Sequence, residues 1–303
     1  MNSSIDKMLG EYFCKPMAET AARRKLRLLF VGAHPDDADL FCGGTAIRFI
    51  EAGHEVRFLS LTDGSAGHQR QSGAVLARRR YEETQRVAGF LGLSYQVWDN
   101  QDANLEASKQ NRNRLIQFIR EYQPTLIITH RPNDYHTDHR QTSILLQDAA
   151  FLLGVPNVCP LIPPLTSSPV ILYARDFFKK PYPFRADVIV DITAVYKKKL
   201  QALALHESQF FEWLPYIEKH KDSPPKGAAE RLAWIDRHWG FITDARQFGE
   251  LLSARLPPAI RAGIVQTEAF EICEYGGRMD RDISQEVFPF GLYIEGTPGA
   301  GEA

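Results

Sequence analysis

From Lys25 to about Gly154 two hydrophobic textures alternate along the chain. Short, nearly continuous apolar runs rich in β-branched residues predict buried strands at Leu26–Gly32, Glu55–Thr62, Tyr95–Trp98 and Pro124–His130. Between them, apolar positions at helical spacing predict helices over Asp39–Ala52, Ala74–Leu91 and Arg112–Tyr122, with a fourth running through Leu145 and Leu152. Gly53 and Gly92 stand where helices commonly close on a left-handed residue. The third helix stops before Pro124, whose ring disfavours helical backbone at the residue preceding it. Regular alternation of this kind predicts an α/β fold, a Rossmann-like, doubly wound and mostly parallel sheet with right-handed crossovers.

Past Gly154 the texture changes. The stretch 155–169 holds Pro156, Pro160, Pro163, Pro164 and Pro169. So many prolines exclude a helix or inner strand, leaving an irregular loop that is either a substrate wall or a surface excursion. Val170–Ala174 and Asp187–Ile192 read as strands and Lys197–Leu205 as a helix. Pro225–Leu256 reads as largely helical, with Trp234, Trp239, Phe241 and Phe248 expected to pack it onto the body. Gly263–Ile272 is a last strand or an extended segment, and the tail from Gly296 is expected to fray. The organisation expected is an N-terminal arm at 1–24, an α/β domain at 25–210, and a helical extension with a terminal segment at 211–303 packed on the same domain.

Composition narrows the class. With 303 residues, 44% hydrophobic and 24% charged, the chain is long enough for one large core. A formal net charge of −1 gives no reason to expect nucleic acid or an anionic membrane surface as partner. Cys14, Cys42, Cys159 and Cys273 lack metal or redox spacing, and Cys42 is expected to be a small buried residue. Without a signal peptide, a membrane-length apolar run or a disulfide framework, a cytoplasmic protein is the expectation.

The chemistry concentrates in two clusters, each after a predicted strand. Ala33-His34-Pro35-Asp36-Asp37 follows the first and precedes Cys42-Gly43-Gly44-Thr45. An imidazole and a carboxylate three residues apart, His34 and Asp37, suit a divalent metal, and Asp36 between them is a spare carboxylate able to act as general base. Singly, His34 or Asp37 could instead cap the following helix. The fourth strand leads into Arg131-Pro132-Asn133-Asp134-Tyr135-His136-Thr137-Asp138-His139-Arg140, where His136 and His139 share a helix face one turn apart. A parallel sheet would bring both clusters to one edge, where open α/β sheets collect ligands. The pair Gly43-Gly44 lacks Gly-x-Gly-x-x-Gly spacing, and adjacent carboxylates would repel a pyrophosphate, so a dinucleotide site is disfavoured.

The chain resembles the LmbE-like, or PIG-L, family of zinc-dependent N-acetylglucosaminyl de-N-acetylases. The resemblance rests on the motifs at 33–45 and 132–140. In order around them come Leu61-Thr62-Asp63-Gly64 with Gly67, Arg80-x-x-Glu83, Asp191-Ile192-Thr193, Lys199 to Gln209 with His206-x-Ser208-Gln209, and Glu268-Ala269-Phe270. Ala38 stands where many relatives carry Glu, and Phe41 where Gly is common.

The resemblance implies Zn2+, or another divalent metal such as Fe2+, held by His34, Asp37 and His139, with Asp36 as general base. It implies that His136, if cationic, stabilises the tetrahedral intermediate and handles its proton, and that Arg80 serves the substrate. A solvated helix face is the plain alternative for Arg80. Asp138 would orient a neighbouring imidazole or cap the next helix. His206 is more often a packing residue than a catalyst and stands as a lesser member of the site. Ser65 and His68 would border the pocket, whereas His54, His130, His220 and His238 have no companion cluster. The implied activity is deacetylation of a small N-acetylglucosamine-type sugar or conjugate, and relatives that assemble are precedent for a homo-oligomer. The alternatives are an amidase on a larger acyl-glucosaminyl conjugate and a non-catalytic, zinc-containing sugar-binding protein.

Overall fold

The computed structural model describes residues 25–279, 281–288 and 291–294; the arm at 1–24, with Cys14, and the tail from Gly296 lie outside them. Strand β1 (Arg27–Gly32) leads through helix α1 (Asp37–Glu51) to β2 (Glu55–Thr62), α2 (Gly73–Leu91), β3 (Ser94–Asn100), α3 (Lys109–Tyr122), β4 (Leu126–Thr129) and α4 (Thr137–Ala150). After these come β5 (Val170–Ala174), β6 (Val188–Asp191), α5 (Tyr196–Leu203), α6 (Ala228–Trp239), α7 (Gly249–Arg255), β7 (Thr267–Ile272) and β8 (Gly291–Tyr293). The expected elements form with small shifts at their ends.

The sheet order is β3-β2-β1-β4-β5-β7-β6-β8. The strands from β3 to β5 pair in parallel, whereas β7 is antiparallel to both β5 and β6, and β8 is antiparallel to β6. The sheet is therefore mostly parallel, with an antiparallel flank. Two-residue alternation buries each strand on both faces: Leu28 and Phe30 join α1 and α2 in one core, and Leu29 and Val31 join α3 and α4 in the other. The chain winds from β1 outward to β3, then returns to place β4 on the other side of β1. This reversal opens a crevice above the C-terminal ends of β1 and β4, the usual ligand position in such sheets.

The Pro-rich segment is at the opposite end. Helix α4 starts at the C-terminal edge of the sheet and carries the chain across, so 151–169 connects at the edge where β5 begins. The loop winds around the buried guanidinium of Arg120, which donates to the carbonyls of Leu152, Leu153, Val155, Val158, Cys159 and Ile162 at 2.6 to 3.2 Å. Prolines cannot build a ladder, so an arginine satisfies the carbonyls instead. Of the two readings of this loop, the topology selects the excursion.

Trp234, Trp239 and Phe248 are buried as expected, but Phe241 is 54% exposed and touches Phe177 instead of the body. It lies in a 3-10 turn, Gly240–Thr243, that ends the apolar face of α6 and turns the ring outward. Cys42 is fully buried, and Cys42, Cys159 and Cys273 are free thiols. Among the described residues, no helix is long and apolar enough to cross a membrane.

An ion pair splices three elements together. Lys199 of α5 and Glu268 of β7 meet at 2.7 Å, both 2% exposed. Glu268 accepts from the N–H groups of Gly44 and Thr45, at 2.8 and 2.7 Å, and Lys199 donates to the carbonyl of Leu40 at 2.7 Å. Space explains Gly44, since a Cβ there would lie 2.7 Å from Ile192 Cγ2. Glu268→Ala would strand a buried ammonium and two helix N–H groups. It should lower unfolding free energy by about 3–5 kcal/mol in a urea titration. A change below about 1 kcal/mol would show that the pair is dispensable.

Candidate metal centre

Both predicted clusters reach the crevice. The chain leaves β1 at Gly32, and Asp37 opens α1 with its carboxylate folded back: Oδ2 accepts from the N–H groups of Ala33 and His34, at 3.0 and 2.7 Å. The β4 turn ends at His136, the N-cap of α4, which places His139 on the first turn of that helix.

Donor atoms of three side chains converge. His34 Nδ1 lies 3.2 Å from His139 Nε2, His139 Nε2 lies 3.4 Å from Asp37 Oδ1, and His34 Nδ1 lies 3.6 Å from the other Asp37 oxygen, Oδ2. The opposite ring nitrogens face carboxylates: His34 Nε2 is 3.2 Å from Asp102 and 3.4 Å from Asp138, and His139 Nδ1 is 3.0 Å from Asp134. Those carboxylates place the imidazole protons on the outer nitrogens. The inner two nitrogens and the Asp37 carboxylate then face one another at the centre of the cluster. Such an arrangement calls for positive charge at its centre, which a metal ion or imidazolium protons supply. The edges of a tetrahedron around an ion with bonds of about 2.0–2.1 Å are roughly 3.3 Å, and the separations of 3.2 and 3.4 Å from His139 Nε2 to His34 and Asp37 fit.

The electrostatics agree. Burial disfavours charge at His34, but Asp102, Asp138 and Asp37 outweigh it and hold its pKa well above the ordinary imidazole value. His139 is raised against burial to about 9 by Asp37 and Asp134. Asp37, despite its burial, is held well below the usual carboxylate range by His139 and His130. The field in the crevice is strongly negative and favours added positive charge.

His130 was not expected here and belongs to the cluster. Its ring stacks on His139 at 3.9 Å and 14°, and its Nε2 lies 3.1 Å from Asp37 Oδ2. Burial, reinforced by the charge on His139, holds its pKa below the ordinary value, and its Nε2 lies against both Asp37 Oδ2 and the Ala33 N–H, at 3.1 and 3.2 Å, behind the carboxylate. A lone histidine ending a strand carries no periodic signal; the adjacency of β1 and β4 is what gives it a partner. Phe41 packs edge-on to this ring at 5.9 Å. His130→Phe keeps the shape and removes the ring nitrogen beside Asp37, and metal affinity should weaken about 10–100-fold in a chelator competition. Unchanged affinity would mean that the stacking alone matters.

Asp102 and Asp134, which carried no role in the sequence reading, support the two imidazoles. Asp138 touches His34 as expected and also accepts from Ala103 and Leu105 N–H, at 2.7 and 3.2 Å. It does not cap α4, because His136 does: its Nδ1 accepts from Asp138 N–H at 3.1 Å. An accepting Nδ1 carries no proton, so His136 is neutral with its hydrogen on Nε2, unlike the cationic form considered from sequence. Its ring meets His34 edge-on at 4.5 Å.

Asp36 turns away from the triad toward Arg80, whose Nη2 lies 2.9 Å from Asp36 Oδ1. Arg80 is 2% exposed, not on a solvated face, and also donates to the carbonyls of Pro35 and Gly64, at 3.2 and 3.3 Å. Gly64 has a φ of +69°, and a Cβ there would sit 2.7 Å from the guanidinium, so the turn demands glycine on both counts. His206 meets Asp39 at 2.8 Å with both fully buried, and Ser208 binds Glu83 through N–H and hydroxyl, at 2.9 and 2.6 Å. These pairs tie the 206–209 segment to α1 and α2, and His206 makes no contact with the triad among the described residues. Ser65 and His68 lie in the adjoining connection, where His68 meets Glu212 at 2.8 Å.

The chain's similarities converge on this region. Residues 29–150, which span both clusters, match the family described as PIG-L, GlcNAc-PI de-N-acetylase. A diacetylchitobiose deacetylase of Thermococcus kodakarensis is 34% identical over 204 residues, covering 63% of this chain and 74% of that protein. A 4-oxalmesaconate hydratase of Pseudomonas putida is 26% identical over 196 residues, covering 62% of this chain and 76% of its own. The solved N,N'-diacetylchitobiose deacetylase of Pyrococcus horikoshii, at 23% identity, superimposes with a TM-score of 0.63 over 91% of this chain and 93% of that one, a likeness of fold. With the histidine–aspartate crevice inside the matched segment, and a 34%-identical relative covered over 74% of its length, the chain belongs to the PIG-L, or LmbE-like, family.

Proposed function

We propose that the protein is a metal-dependent hydrolase that removes the N-acetyl group from a small N-acetylglucosamine-type sugar or conjugate, in the cytoplasmic setting inferred from sequence. The observation that carries this reading is the meeting of His34 Nδ1, His139 Nε2 and Asp37, with further carboxylates at the outer ring nitrogens, beside a separate carboxylate, Asp36. His34, Asp37 and His139 would hold the ion. Two imidazoles and a carboxylate suit zinc, with Fe2+ as the alternative. When bound, such an ion supplies Lewis acidity, polarising the acyl oxygen and acidifying a water near neutral pH.

The remaining steps belong to the chain. Arg80 donates to one oxygen of Asp36, and the other takes the proton of the attacking water. Arg80 is a positioning residue in this account, since its guanidinium is buried against Asp36 and two carbonyls. His136, fixed through Nδ1, offers Nε2–H to the oxyanion that develops at the acyl carbon. Asp36 returns its proton to the leaving nitrogen, giving acetate and a free amine. Asp102, Asp134, Asp138 and His130 keep the imidazoles and Asp37 from rotating.

Charge separates this reading from hydration of a polycarboxylate, the activity named for the Pseudomonas relative. Arg79, Arg80 and Arg131 are paired with Glu212, Asp36 and Asp176, at 2.9, 2.9 and 2.7 Å, so these arginines offer no free cation to a polyanion. A neutral sugar fits better. Metal analysis together with a screen of N-acetylglucosamine, its disaccharide and simple glycosides tests the proposal, with Asp36→Asn as the blank. Acetate release supports it, a bulkier acid points to an amidase, and sugar binding with no amine released from any substrate overturns it.

A further inference from the structure

The π-helical turn Gln209–Trp213 and the short helix Leu214–Ile217 carry an aromatic pair that the reaction above does not use. Trp213 and Tyr216 stack with ring centroids 5.9 Å apart and planes 27° from parallel. Tyr216 is 59% exposed and Ile217 beside it 52%. Adjacent exposed aromatic and aliphatic faces are costly to leave in water and usually mark a place where something binds.

Hydrogen bonds tie the turn that carries the pair to the 67–69 connection beside the crevice. Glu212 is gripped by Arg79 at 2.9 Å and His68 at 2.8 Å, Gln209 donates to Gly67 carbonyl at 3.2 Å, and Gln69 donates to Glu212 carbonyl at 3.3 Å. A Cβ on Gly67 would lie 3.3 Å from Arg80 Nη1, 3.6 Å from Trp213 Nε1 and 3.7 Å from Asp102 Oδ2. The indole N–H thus borders the same small space as Arg80 and Asp102, which in turn contact Asp36 and His34. Among the described residues, Trp213 Nε1 donates to no protein group.

A flat apolar face with an N–H at its edge complements a saturated pyranose. The ring's C–H hydrogens meet the negative face of the π system, and its hydroxyls accept from the indole. We propose that Trp213 and Tyr216 form a platform for a second sugar ring, joined to the one that loses its acetyl group, so that the protein prefers disaccharide-type substrates over the free monosaccharide. This rests on the amino-sugar reading of the crevice.

The test compares kcat/KM for N-acetylglucosamine and N,N'-diacetylchitobiose in zinc-loaded wild type, Trp213→Ala, Trp213→Phe and Tyr216→Ala. The ratio of disaccharide to monosaccharide should fall about tenfold in Trp213→Ala, recover largely in Trp213→Phe, and fall about threefold in Tyr216→Ala, whose exposed ring does not support the core. An unchanged ratio in both alanine variants overturns the platform even if acetate is still released. If wild type releases acetate from neither sugar, the amino-sugar reading fails instead. Calorimetric titration of N,N'-diacetylchitobiose then decides the platform separately: binding weakened about tenfold in Trp213→Ala supports it, and binding that is absent or equal in the two proteins overturns it.

Discussion

Asp36→Asn should lower kcat for acetyl release by about 10³-fold while the protein retains a full complement of metal. General bases contribute roughly 10²–10⁴ in rate, and here the base is a carboxylate beside the triad but not part of it. The amide keeps the volume and still accepts from Arg80, whose Nη2 lies 2.9 Å from Asp36 Oδ1, so the guanidinium is not left without a partner. What is lost is the ability to take a proton from water. Metal analysis by mass spectrometry alongside acetate-release kinetics checks the prediction. A variant that loses its metal together with its activity would make Asp36 a ligand and return the base to an unassigned group. A variant with near-normal kcat would remove the hydrolytic account altogether.

His139→Ala should weaken metal binding by at least about 10³-fold and abolish turnover, because it deletes one of three donors from an otherwise buried cluster. It also leaves Asp134 and His130 without the ring that meets them at 3.0 Å and 3.9 Å. Chelation of the wild-type protein is the independent arm. Stripping the metal should lower the melting temperature, since an ion that binds only the folded chain stabilises it by mass action, and added zinc should restore both stability and turnover. Stoichiometric metal in His139→Ala would move the site to another group of side chains.

The parts of the site legible in the sequence are those in which the chemistry is local. His34, Asp36 and Asp37 are consecutive or nearly so, and His136 and His139 are one helical turn apart, so spacing alone shows what each pair can do. The partners that hold them are not local. Asp102 arrives from the β3 connection, and His130 gains its role only because β4 returns to the side of β1. Arg80 reads as one of three consecutive arginines on a charged helix until the fold turns it inward onto Asp36. His136 illustrates the same limit at the level of one proton: its charge state follows from which backbone N–H its Nδ1 accepts, and that follows from its place as an N-cap.

The fold divides similarly. Periodicity located the strands and helices because burial of each element on its own face is written into consecutive residues. It did not place β7 between β5 and β6, nor the Pro-rich loop at the far edge, nor Phe241 in the solvent. Those outcomes depend on which surfaces remain uncovered once the parallel core has formed. The amino-acid order by itself determined the alternating elements, the two reactive clusters and their positions after strands. The tertiary structure alone decided which side chains orient the donors, which loops stand at the crevice, and that two imidazoles and a carboxylate from distant segments meet at one point. Strand order and the reversal at β1 and β4 are properties of packing among distant segments, and no single stretch of chain contains them.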